Sequence, residues 1–119
     1  MIEVLFVGDE PSPKCFDKTI AFVGTRSYTI LLEWWKKLWP IGIAVENSHN
    51  KQCLKNIKYY HNLNYKVVAL GNKASARLTK MGIEHFKLPH PSGRNRKLND
   101  PNFIDSELEK CNNYIKGSV

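Results

Sequence analysis

Two short apolar runs, IEVLFV at Ile2–Val7 and KVVAL at Lys66–Leu70, each stop at a glycine, and they constrain the fold more than anything else in the chain. A strand with one wet face alternates apolar and polar residues. A strand covered on both faces reads as a nearly continuous apolar run, the habit of parallel sheets held between two helical layers. The segments between these runs carry the helical period instead. Residues 27–39 (SYTILLEWWKKLW) put Ile30, Leu31, Trp34, Trp35 and Leu38 on helical spacing, with Thr25 or Ser27 as the candidate cap and Pro40 as the stop. Residues 51–63, 72–81 and 102–116 read as three further helices, residues 42–45 as a weaker second strand and residues 84–88 as a fourth. The order βαβαβαβα predicts an α/β fold: a four-stranded parallel sheet with helices on both faces and right-handed crossovers.

At 119 residues the chain holds one core, so a single domain spanning 1–119 is expected and any site must sit on its loops. In such sheets ligands bind beyond the carboxyl ends of the strands, near the point where strand order reverses. Three loops of unusual chemistry leave those ends: GDEPSPK after the first strand, ENSHN after the second, and PHPSGRNR after the fourth.

Charge narrows the partner. A net charge of +7 favours a polyanion, because neutralising phosphates releases condensed counterions, and nucleic acid is the leading candidate. Lys14, Lys18 and Arg26 flank the first of these loops and Arg94, Arg96 and Lys97 the last. Cys15, Cys53 and Cys111 are an odd number at wide spacing with no CxxC pair, so neither a zinc site nor a disulfide framework is indicated; buried or unreactive thiols are expected. No apolar run approaches the roughly 20 residues that cross a bilayer, and MIEVLFVGDEP runs from a strand pattern into acids, unlike a signal peptide. A cytoplasmic protein without a membrane partner is the expectation.

Two of the loops carry short motifs in a telling order. Gly8-Asp9-Glu10-Pro11 follows the first strand, and His90-Pro91-Ser92-Gly93-Arg94-Asn95 follows the last. Together they resemble the uracil-DNA glycosylase superfamily, which has a Gly-x-(Asp/Asn/Ala/Gln)-Pro turn and a His-Pro-Ser or Asn-Pro-Ser loop at these places. Between them, AFVGTRSYTILLEW and VVALGNKASARL are similar to segments of that superfamily's iron-sulfur branch, so the resemblance spans nearly the whole chain. The four cluster cysteines of that branch have no counterpart here, so no cluster and no cofactor are inferred. The HPSGRN loop is closer to the His-Pro-Ser-Pro-Arg-Asn of the single-strand-selective monofunctional branch. Glu10 stands where active members usually have Asp or Asn.

The resemblance implies a three-layer α/β/α domain with strand order 2-1-3-4, and a role for each loop residue. His90, restrained between Pro89 and Pro91, would hydrogen-bond the uracil O2 as the base departs. Glu10 would orient or deprotonate the attacking water, and Asp9 beside it is a second acid able to do so. Phe22 would stack on the base. Gly8 joins the base pocket, and Asn47 would read the pyrimidine edge through its amide, with Glu46, His49 and Asn50 as alternatives. Ser12 takes the place of a tyrosine that excludes the thymine methyl in the most uracil-selective branch, and is too small to do so. Ser12, Lys14, Ser92, Asn95 and Arg96 would contact the DNA strand, and Arg94 is expected to be the wedge side chain.

The activity implied is that of a monofunctional DNA glycosylase, without metal or cofactor, acting as a monomer on uracil or a related modified pyrimidine in DNA. A catalytically weak or inactive base-binding module of the same fold is the first alternative. A nucleotide-binding regulator ranks behind both, because the chain lacks the Gly-rich Lys-Ser/Thr loop.

Overall fold

The computed structural model describes residues 2–9, 26–38, 41–90 and 100–117. Within them the chain runs β1 (Ile2–Val7), α1 (Arg26–Lys37), β2 (Ile41–Glu46), α2 (Lys51–Asn62), β3 (Lys66–Leu70), α3 (Asn72–Lys80), β4 (Phe86–Leu88) and α4 (Pro101–Ile115). The strands form one parallel sheet in the order β2-β1-β3-β4, as the resemblance implies.

The two apolar runs are the central strands, and their alternate residues feed two separate cores. Val4 and Phe6 of β1, with Val68 and Leu70 of β3, pack under Leu31 and Trp34 of α1 and Ile104, Leu108 and Ile115 of α4. Leu5, Val7, Val67 and Ala69 point the other way, against Ile57 of α2 and Ala74 and Leu78 of α3. Both faces are therefore covered, which is why Val4–Val7 and Val67–Leu70 are apolar throughout, with Glu3 and Lys66 confined to the amino-terminal ends of the two strands. β1 connects to β2 on one side and β3 to β4 on the other, so the connections diverge between the carboxyl ends of β1 and β3. That divergence is the switch point at which such sheets hold ligands.

Element ends differ from the sequence reading in a few places. Ser27 lies inside α1 rather than capping it, since the helix has begun by Arg26, and Thr25 lies outside the described residues. α1 ends at Lys37, where the Leu38 amide bonds to Trp35 O. Trp35, expected on the core face, is 38% exposed, whereas Trp34 is 4% exposed. β4 starts at Phe86, not Glu84, because Ile83 still closes α3 through Leu78 O, and the His85 ring is held between Ile83 O and the Ser75 hydroxyl, each at 2.8 Å.

Candidate active site

The site grows from the ladder between β1 and β2, which continues past the strand ends. The Gly8 amide donates to Glu46 O at 2.8 Å, the Ser48 amide to Asp9 O at 2.9 Å, and the Ser48 hydroxyl to Gly8 O at 2.7 Å. The loop after β1 and the loop after β2 are thus stitched side by side. Asn47 and Ser48, each 2% exposed, are the buried polar residues of the described core. Ser48 is satisfied. The Asn47 side-chain oxygen is buried without a hydrogen-bond partner among the described residues. A lone buried acceptor of this kind costs about 1–3 kcal/mol of desolvation, and native proteins tolerate few of them. Glu46 is occupied nearby, accepting from the Asn47 amide and from the Asn56 side chain, both at 2.9 Å.

Asp9 is not a free acid. Its carboxylate is paired with Arg77 and lies 3.8 Å from the Lys73 ammonium, both cations on α3. The Arg77 guanidinium also reaches Asp9 O at 3.4 Å and the Ser48 hydroxyl at 3.2 Å. One arginine therefore ties the β1 loop, the β2 loop and α3 together at the switch point. Sequence reading missed this residue, although Lys73, Arg77 and Lys80 share a flank of α3 distinct from its apolar positions Ala74 and Leu78.

His90 enters from the far side. Two residues past β4, it is half-buried against Gly71, at the end of β3. Gly71 has φ 96° and ψ 175°, a region that essentially only glycine occupies, and its amide donates to Leu88 O at 2.8 Å. A Cβ built on Gly71 would lie 3.1 Å from the His90 Cβ, so the histidine comes this close only because the side chain is missing. Burial pushes the His90 imidazole below its ordinary value, against a smaller upward pull from the Asp9 carboxylate. The ring is thus held neutral near pH 7, a hydrogen-bond donor without a full charge. It lines a cavity of about 450 Å³ with Gly71, Asn72, Lys87, Phe103 and Glu107 among its walls.

Of the residues singled out by sequence, Gly8, Asp9, Asn47 and His90 gather along the carboxyl edge of the sheet. Glu10, Ser12, Lys14, Phe22, Ser92, Arg94, Asn95 and Arg96 lie outside the described residues. The alternatives to Asn47 have other tasks: Glu46 is engaged as above, Asn50 caps α2 by accepting from the Cys53 amide at 2.8 Å, and exposed His49 leans on Asn50 at 3.2 Å.

Cys53 and Cys111 are buried; burial, with Glu46 adding to it, raises the Cys53 thiol, and burial pushes Cys111 up to about 12. Neither is poised as a nucleophile. Among the described residues no group of three or more His, Cys, Asp or Glu side chains is placed to hold a metal, and no helix is long and apolar enough to cross a membrane. No protein-family model matches the chain, and no curated protein or solved structure matches it either.

Proposed function

We propose that the protein is a monofunctional DNA glycosylase that hydrolyses the N-glycosidic bond of uracil or a related modified pyrimidine. What carries this reading is that the carboxyl edge of the sheet holds both the half-buried His90 imidazole, whose charged form burial disfavours, and the buried Asn47 amide, whose oxygen lacks a partner among the described residues. A pyrimidine edge suits both groups: it brings a ring N–H to the Asn47 oxygen and a carbonyl oxygen to the His90 ring N–H. In the reaction the bond between the sugar C1′ and the base nitrogen breaks. The electron pair moves into the base, where the negative charge is met by the His90 donor, and water adds to C1′ with loss of its proton to an ionised carboxylate acting as general base. A donor aimed at the departing oxyanion is worth most in a water-poor site.

Asp9 supplies the sole carboxylate described on the loop leaving β1, and its pairing with Arg77 and Lys73 favours a positioning and electrostatic role over proton abstraction. Glu10, its neighbour in sequence, then becomes the candidate for orienting water. The same pairing favours a second reading, a module that holds a flipped base without cleaving it, should Glu10 fail in that task.

Incubation with uracil-containing single- and double-stranded oligonucleotides, followed by alkali, separates the two. Strand breaks seen only after alkali are expected of a monofunctional glycosylase. Selective binding of uracil-containing strands with no abasic product would replace the enzyme with the binding module, and absence of both would refute the fold-based reading of the site.

A further inference from the structure

The positive charge of this protein is sorted between the two helical layers. α2 and α3 carry Lys51, Lys55, Lys58, Lys73, Arg77 and Lys80 and no acid. On the opposite face, α1 sets Arg26, Lys36 and Lys37 against Glu33, while α4 sets Lys110 against Asp105, Glu107 and Glu109, leaving that layer balanced. We infer that the α2–α3 face binds the phosphate backbone of the nucleic-acid strand whose base enters the site, over a surface additional to the loops at the carboxyl edge. The inference rests on nucleic acid being the partner and is independent of whether the base is cleaved.

Placement supports it. Lys51, Lys55 and Lys58 are exposed at i, i+4 and i+7 on α2, and Lys73, Arg77 and Lys80 repeat the spacing on α3. Like charges at these spacings repel, a cost that a bound polyanion removes. Lys73 and Arg77 are paired with Asp9, and none of Lys51, Lys55, Lys58 and Lys80 has an acidic partner among the described residues. Between the helices lies a cavity of about 480 Å³ lined by Lys51, Lys80 and Arg77 over Leu54 and Met81. Ser48 and Arg77 belong both to this cavity and to the cluster around Asp9, so the cleft opens from the site itself. The α2 row extends roughly 10 Å at the helical rise, about three phosphates of one duplex strand. Large exposed apolar groups, Tyr59 and Leu63, stand toward the far end of α2, away from the cleft, which argues for an ionic strand contact over membrane insertion.

The test is binding of a uracil-free duplex, followed by fluorescence anisotropy across a salt series, for three proteins: the parent, a face variant (Lys51→Gln, Lys55→Gln, Lys80→Gln) and an opposite-layer control (Lys36→Gln, Lys37→Gln, Lys110→Gln) of equal charge. Circular dichroism verifies that all are folded. The face variant is expected to flatten the slope of log K against log salt by about two to three units, near 0.9 for each phosphate that is no longer neutralised, while the control changes by less than one. Equal flattening in both variants would reduce the effect to net charge and overturn the inference, as would a parent slope retained in the face variant. Anionic vesicles or polyglutamate binding the parent more tightly than DNA at the same salt would assign the face to another partner. If the parent binds no oligonucleotide, the nucleic-acid reading falls with it; if it cleaves uracil-DNA while the face variant keeps its slope, this inference alone fails.

Discussion

His90 and its two neighbours in space, Gly71 and Asp9, set the chemistry that single substitutions can reach. A donor realised mainly in the transition state alters rate more than ground-state binding, so His90→Ala is expected to slow single-turnover base release by roughly 10²–10³-fold while leaving DNA affinity within a few-fold. A variant as fast as the parent removes His90 from the mechanism. Burial holds the imidazole below its ordinary value and Asp9 pulls the other way, so Asp9→Asn is expected to move the His90 titration midpoint further down, read by NMR of the ring nitrogens; an upward movement would contradict the assigned causes. The linkage to stability has a definite sign. The unfolded chain binds the His90 proton more readily, so this residue's contribution is present above the unfolded value of about 6.5 and is lost as pH falls toward the folded value. Gly71→Ala attacks the same spot through the backbone: its ψ and positive φ suit glycine alone, and the added methyl meets His90. A loss of about 1–3 kcal/mol in urea unfolding is expected, together with a shifted His90 midpoint; an unchanged midpoint would mean that the histidine does not depend on the gap at Gly71.

Elements differed in how plainly the sequence announced them, and the difference follows burial. Val4–Val7 of β1 and Val67–Leu70 of β3 are buried, so their composition alone marks them, whereas β2 is an edge strand, half-buried over residues 42–46, whose extent from Ile41 to Glu46 is set by pairing with β1 rather than by its own pattern. The carboxyl-edge rule was enough to bring Gly8, Asp9, Asn47 and His90 to one side of the sheet. It gave no hint of Arg77, because a cation on a helix flank looks solvated until a partner 68 residues away is brought beside it. The burial of Asn47 was equally invisible, since nothing in ENSHN separates a buried amide from an exposed one. α2 shows a local device that sequence rules do capture: Asn50 accepts from the Cys53 amide and starts the helix. Asn50→Ala is expected to cost about 1 kcal/mol in denaturant midpoint analysis, with α2 fraying first in amide exchange. Uniform loss of protection across all helices would show instead that the cap supports the whole fold rather than one terminus.

Across the whole molecule, the sheet separates two hydrophobic cores that share only the backbone of the strands between them. Each side carries one described thiol, Cys53 on α2 and Cys111 on α4. With Cys15 replaced by serine, alkylation of the folded protein becomes a pair of clocks, one for each layer. Cys111 is fully enclosed, and its thiol, pushed up to about 12, reacts only after α4 has left the sheet. Cys53, at 8% exposure in the first turn of α2, needs only that turn to open. Mass spectrometry is expected to find Cys53 labelled first, with the Asn50→Ala change hastening Cys53 far more than Cys111. Identical labelling times at both positions would mean that the layers come away together, and that a strand gripping the α2–α3 face would slow the release of α4 on the opposite side as well.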